Sequence, residues 1–259
     1  KFAATGQLYR GSKPVMWSPV EKTALAEAEV EYEDVASTQI DVAFEIVEAP
    51  NAPELVGAHA VIWTTTPWTI PTNQAIAYGE DIDYVIVTAP DGRRHVVAGA
   101  LLPQVAQRVG VSWNADATFK GGKLAGAVTR HPMHAKGDFF ARPRPFLAGH
   151  HVTTDAGTGL VHIAPDHGED DFLLGREHGI DPVFAVEANG YYRVDWPWMG
   201  GQGSVIAPKL NAPDGPICGD LRDKGALLSA GAIRHSYPHS WRSKARVIFR
   251  CTPQWFIAM

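Results

Sequence analysis

Proline and glycine interrupt this chain so often, 19 and 25 times in 259 residues, that few segments are long enough for anything but short strands and brief helices. Proline fixes φ and removes a backbone donor, and glycine favours turns. Apolar runs caught between them therefore read as strands joined by shaped loops. Residues 40–47, 59–63, 84–88, 95–98, 159–163 and 246–249 carry β-type patterning. Helical stretches are fewer, at 21–31, 101–109, 170–178 and 221–231, while 142–145 and 210–216 read as loops. The expected class is β-rich α+β.

A hydrophobic fraction of 45% with 20% charged residues is ordinary for a packed domain, which excludes disordered, collagen-like and coiled-coil chains. A chain of this length approaches the most that one core supports, so a single domain over 1–259 is expected. No run nears the ~18 to 20 apolar residues of a membrane span, and the opening KFAATGQLYR lacks the order of a signal peptide. No membrane association is expected. A formal charge of -5 excludes a generic polycationic nucleic-acid binder, although a local basic face is compatible with it. Cys218 and Cys251 alone give neither a disulfide framework nor a Cys-only zinc site, and a reducing cytoplasm is the expectation. The chain begins at Lys1, so an excised fragment is expected, with about 1–35 and 236–259 as connecting segments toward a body outside it.

Three segments could carry chemistry. The first, Trp63-Thr64-Thr65-Thr66-Pro67-Trp68-Thr69-Ile70-Pro71-Thr72-Asn73, follows a strand-like run that Pro67 and Pro71 stop. The resulting loop offers hydroxyls and amides to a ribose, carboxyl or carbonyl oxygen, although a threonine-capped turn packed by two tryptophans has the same composition. The second runs from Asp155 to Phe172: a Gly-rich turn, a strand bearing His162, then His167 and the acids Glu169, Asp170 and Asp171 at a helix start. His162, His167 and Asp171 have the chemical types of a metal site, but equally of a metal-free pocket in which a carboxylate holds an ammonium. The third, residues 234–246, interleaves basic and aromatic side chains that could follow a phosphate backbone and stack a base, or simply face solvent.

Together and in this order, WTTTPWTIPTNQAIA, GTGLVHIAPDHGEDDF and YPHSWRSKARVIFRCTPQWF resemble the editing domain inserted in the catalytic core of isoleucyl-tRNA synthetases. KPVMWSPVEKTALAEAEVEYED resembles the segment leading into that insertion, so the likeness runs from about Leu8 to Phe256. Valyl and leucyl relatives usually carry a T-T-R-P form where this chain has Thr66-Pro67-Trp68, which favours the isoleucyl type. Neither an H-I-G-H-like nor a K-M-S-K-S-like sequence is present, so ATP and Mg belong to a synthetic core outside this chain. Relatives often hold a Cys pair near the place of Ser18 to Lys22; this chain has none there, and no metal is expected.

The resemblance implies an editing-domain-like β-barrel with peripheral helices, and hydrolytic proofreading. A synthetic pocket that fits isoleucine rejects valine poorly, because one methylene is worth only ~1 to 3 kcal/mol; the isoleucine and valine pair is the standard illustration of that limit. A second site hydrolyses the smaller product. The implied substrate is the 3′ end of isoleucine tRNA carrying valine, with valyl-adenylate as a second. The implied partner is the parent catalytic core in cis, and the implied state is a monomer without cofactor for editing. By the same resemblance Asp171 holds the substrate ammonium, His162 walls the side-chain pocket, and Thr64, Thr65, Thr66 and Thr69 position the ester carbonyl and water. Thr65 and Thr66 join Asp171 as the catalytic candidates, while Trp68, Asn73, His167 and Tyr237 complete the binding set. A valyl- or leucyl-type editing domain, a tRNA-end-binding module without hydrolysis, and a metal-dependent hydrolase are the alternatives.

Overall fold

The computed structural model describes residues 2–257. The first part of the chain forms β1 (Leu8–Ser18), β2 (Thr23–Ala24), β3 (Val30–Glu48), β4 (His59–Thr64), β5 (Ala75–Tyr78), β6 (Asp83–Thr88) and β7 (Arg94–Ala98). Helix α1 (Leu102–Val109) leads to β8 (Ala115–Lys120), β9 (Val128–Arg130), α2 (Asp138–Ala141), β10 (Arg144–Ala148) and β11 (Leu160–Ile163). Helices α3 (Glu169–Glu177), α4 (Pro208–Asn211) and α5 (Pro216–Asp223) precede β12 (Leu227–Ser240) and β13 (Ile248–Ile257). The β-rich α+β class is what forms.

Strand β3 is the spine. Its first half is largely exposed and pairs with β12 as a ribbon, Val30 opposite Ser240 through Val42 opposite Leu227. Its second half, Ile40 to Ile46, is almost wholly buried and pairs with β4 and β9. Ile40, Val42, Phe44 and Ile46 alternate there with Asp41, Ala43 and Glu45, and the buried carboxylate of Asp41 is paired with Arg108. The large sheet runs β11-β5-β10-β9-β3-β4-β7-β6-β8, with β12 also on β3. A separate ribbon joins β1 antiparallel to β13, with β2 on the other edge of β1.

The implied barrel, closed or nearly closed, does not close. The edge strand β11 packs beside β4 without a ladder, and the turn before it is tied instead to β7 and β6, where Ala98 N–H donates to Thr158 O (2.8 Å) and the Tyr84 hydroxyl to Gly159 O (2.6 Å). Strand β11 has only four residues, and the turn before it holds Gly157 and Gly159 at φ of +80° and +75°. Left-handed backbone cannot continue the regular pairing that closure needs.

Two helical expectations also fail. Residues 21–31 contain β2, a short 3-10 turn at Glu27–Glu29 and the start of β3. The Glu- and Ala-rich composition favours a helix, but propensity yields to tertiary context, here the pairing of β2 with β1 and of β3 with β12. In 221–231, α5 ends at Asp223, Gly225 turns with φ of +65°, and β12 begins at Leu227. Expectations at 101–109 and 170–178 correspond to α1 and α3. One large core lies inside the curved sheet, around Phe44, Ile62, Tyr84, Phe140, Tyr192 and Trp198. A smaller cluster, Ala75, Ala77, Leu147, Val152, Ile163 and Leu174, packs α3 onto β5, β10 and β11. That second cluster fixes where the first turn of α3 points.

Candidate active site

The threonine loop and the segment 156–171 meet in one cleft of about 350 Å³. Strand β4 delivers Trp63 and Thr64, and Pro67 then begins a 3-10 run, Pro67–Thr72. The loop is held by its own side chains: Thr64 Oγ1 accepts from Thr66 N–H (3.1 Å) and lies 3.1 Å from Thr66 Oγ1, while the Thr69 hydroxyl donates to Thr66 O (2.9 Å). Such local bonds satisfy backbone that two prolines withhold from a sheet. Thr64, Thr65, Thr66 and Thr69 all line the cleft, facing His162, His167 and Asp171.

Asp171 is the third residue of α3, and its Oδ2 accepts from Ala164 N–H (2.8 Å). Gly168 makes room: a Cβ there would lie 3.1 Å from Asp171 Cγ. The residue keeps partial exposure to the cleft, yet its carboxyl is deep enough that burial pushes the pKa up to about 7, the Ala164 amide opposing and Asp170 adding to the rise. No cation of the protein pairs with it among the described residues. A desolvated carboxyl without a partner favours an incoming positive charge.

His162 Nε2 lies 2.9 Å from the Thr69 hydroxyl. That hydroxyl has one proton; if it goes to Thr66 O, His162 Nε2 carries the imidazole hydrogen and Nδ1 is a bare, buried acceptor without a protein partner. Burial, with His167 adding, pushes the His162 pKa down to about 4, so the ring is neutral near pH 7. His167 points Nδ1 at Phe249 O (2.8 Å), which ties this wall to β13, and its pKa is lowered by burial.

Three of the expected binding residues lie elsewhere. Trp68 is buried behind the loop, its ring edge-on to His167 with centroids 4.6 Å apart and its backbone N–H donating to Asn211 Oδ1 (3.2 Å). Asn73 is fully buried and donates to Ala75 O (2.8 Å), securing the start of β5 rather than lining the cleft. Tyr237 borders a smaller hollow with Trp68 and Arg246, which touches the cleft only through Thr65 and Thr66. Conversely, Trp63, His151, Thr153 and Gly157 line the cleft without having been singled out as binding residues. The glycines at 157 and 159 were a signal for a special turn; nothing in the spacing of His151 announces a contact that only the loop after β10 creates. Among the described residues no group of three His, Cys, Asp or Glu side chains is placed to hold a metal ion.

The profile of tRNA synthetases class I (I, L, M and V) matches residues 1–259. The chain belongs to that family. Among its class I relatives, the isoleucine--tRNA ligase of Zymomonas mobilis subsp. mobilis is 63% identical over 100% of this chain and 28% of its own length. The isoleucine--tRNA ligase of Gluconobacter oxydans is 47% identical over 100% of this chain, again 28% of its own length. This class I segment thus spans less than a third of these relatives. Its likeness to solved structures is partial: GlLeuRS-CP1 gives a TM-score of 0.45 at 15% identity over 55% of this chain and 65% of that one. The P. falciparum cytosolic leucyl-tRNA synthetase editing domain gives 0.41 at 10% identity over 52% of this chain and 64% of that one. No helix among the described residues of this synthetase segment is long and apolar enough to cross a membrane.

Proposed function

We propose that the cleft is a hydrolytic editing site that removes valine from the 3′ end of isoleucine tRNA. One observation carries this reading: a desolvated, cation-free carboxyl, Asp171, shares a small cleft with a hydroxyl-rich loop and with the neutral His162 that Thr69 of that loop holds. Asp171 takes the α-ammonium, an ionised hydrogen bond strengthened by exclusion of water. His162, held by Thr69, limits the room for the amino-acid side chain. The Thr65 and Thr66 hydroxyls and nearby amides orient the ester carbonyl and a water molecule.

Among the described residues no activated nucleophile lines the cleft, and both cysteines are buried elsewhere. Water therefore attacks directly: its oxygen bonds to the carbonyl carbon, the bond to the ribose oxygen breaks, and a proton from water ends on that ribose oxygen. The named relatives support the identity of the tRNA and a parent catalytic core in cis, to which the β1 and β13 ribbon is the natural connection.

The test is release of valine and of isoleucine from the same isoleucine tRNA, with wild type and Asp171→Asn side by side. Valine release that falls by at least about 100-fold in the variant, with isoleucyl-tRNA spared by wild type, is the expected result. If wild type releases neither amino acid at high concentration, the cleft is a binding site without hydrolysis.

A further inference from the structure

Behind the cleft lies an ion pair that touches one of its walls at two residues. Asp41 on β3 is completely buried, and Arg108 at the end of α1 grips it with two bonds, Nε to Oδ2 (3.0 Å) and Nη2 to Oδ1 (2.7 Å). The same Nη2 donates to Gly157 O (3.0 Å), and the guanidinium carbon sits 5.8 Å from the centre of the Trp63 ring. Gly157 and Trp63 both line the cleft. They also touch each other, since a Cβ on Gly157 would stand 3.2 Å from Trp63 Cε3. Trp63 is held in turn by its indole N–H to Gln39 Oε1 (3.0 Å), and Ser229 of β12 donates to Arg108 O (2.8 Å).

The carbonyls of Gly157, Thr158 and Gly159 are each drawn outward, by Arg108, Ala98 N–H and the Tyr84 hydroxyl respectively. Two of these tethers come from the sheet beside the turn. The third is a charged side chain whose fork spans carboxylate and carbonyl at once, which a lysine ammonium does not reproduce.

We propose that Arg108, anchored by Asp41, is a positioning residue that fixes the wall of the cleft formed by Trp63 and Gly157 together and so fixes which aminoacyl ester fits. This rests on the editing reading given above. Arg108 touches no substrate; it acts by holding Gly157 and Trp63.

The experiment compares wild type with Arg108→Lys, which keeps a cation beside Asp41 but gives up the simultaneous hold on Gly157. The paired neutral variant Asp41→Asn with Arg108→Gln guards against a fold lost to an unpaired buried charge. Two readouts are taken: amide hydrogen exchange across 156–160, and KM and kcat separately for valine release from isoleucine tRNA. The expected result is exchange at 156–160 at least about tenfold faster in Arg108→Lys with the core strands unchanged, a several-fold rise in KM, and kcat within about twofold. Unchanged exchange, or unchanged KM in an active enzyme, overturns the inference. Faster local exchange in a protein whose wild type releases no valine leaves the positioning of the wall standing and sinks the editing reading and, with it, the claim on ester selection.

Discussion

The Thr69 hydroxyl and His162 Nε2 stand 2.9 Å apart and join the threonine loop to β11 across the cleft. With its pKa near 4, His162 is a neutral wall at working pH and not a proton donor of the imidazolium kind. Truncation to Ala widens the pocket by a ring. Isoleucine release by His162→Ala is expected to rise at least about tenfold over wild type, the scale of one or two methylenes in a tight pocket. Gel or radiolabel deacylation assays on isoleucyl-tRNA read this directly, and a variant that still spares isoleucine removes His162 from the selection step.

The Asp171 carboxyl must be ionised to hold an ammonium, and burial has raised its pKa to about 7. Valine release in kcat/KM should therefore fall about tenfold per pH unit well below 7, as the protonated acid has to lose its proton before binding. Above about pH 8 the substrate amine loses its charge and the rate falls again. A pH profile flat from 5.5 to 7.5 would falsify the ammonium role. The Asn variant should show a low rate without the acidic limb.

Acid should destabilise the fold before the carboxylates of the surface titrate. His95 and His162 have pKa values pushed down to about 4 by burial, and His131 is pushed well below its ordinary value for the same reason. Unfolded histidines bind protons below about pH 6.5 while these stay neutral in the native state, so stability is lost as pH falls from about 6.5 toward 4, at up to about 1.4 kcal/mol per unit for each group. Asp171 works the other way, since its raised pKa favours the native state as pH falls from about 7 to 4. His59, His167 and His235 are lowered by burial as well and Asp41 is raised by it, so six histidines against two carboxyls leave a net loss. Urea unfolding at pH 7.5, 6 and 5 checks it; His95→Phe, which keeps the stack on Trp113, should shallow the decline.

Gly159→Ala should cost about 2 kcal/mol or more. The residue has φ of +75°, and an added Cβ would sit 2.4 Å from the Ala98 Cβ, where β7 and the cleft turn meet. A thermal midpoint within one degree of wild type would show that the turn relaxes freely.

Strands 59–63, 84–88, 95–98 and 159–163 were legible because each is a short apolar run that the core covers, so its composition reports its burial. The ribbons were not. Residues of β1, β12 and the outer half of β3 are polar or half exposed, and what makes them strands is a partner far along the chain, such as Tyr9 opposite Phe256 or Glu33 opposite Tyr237. Local propensity holds no record of such a pairing.

By itself the sequence determined the β-rich class, the threonine loop and the acid in the first turn of α3, because prolines, glycines and first-turn acids act on their own neighbours, while the likeness to the family lay in the joint order of its motifs. Only the tertiary structure decided that the sheet stays open, that Trp68, Asn73 and Tyr237 stand behind the cleft rather than in it, and that Arg108 and Asp41 brace one of its walls. Each of these depends on contacts between residues tens of positions apart, and on burial, which sets both the Asp171 and His162 proton affinities and appears only once the chain has closed around them.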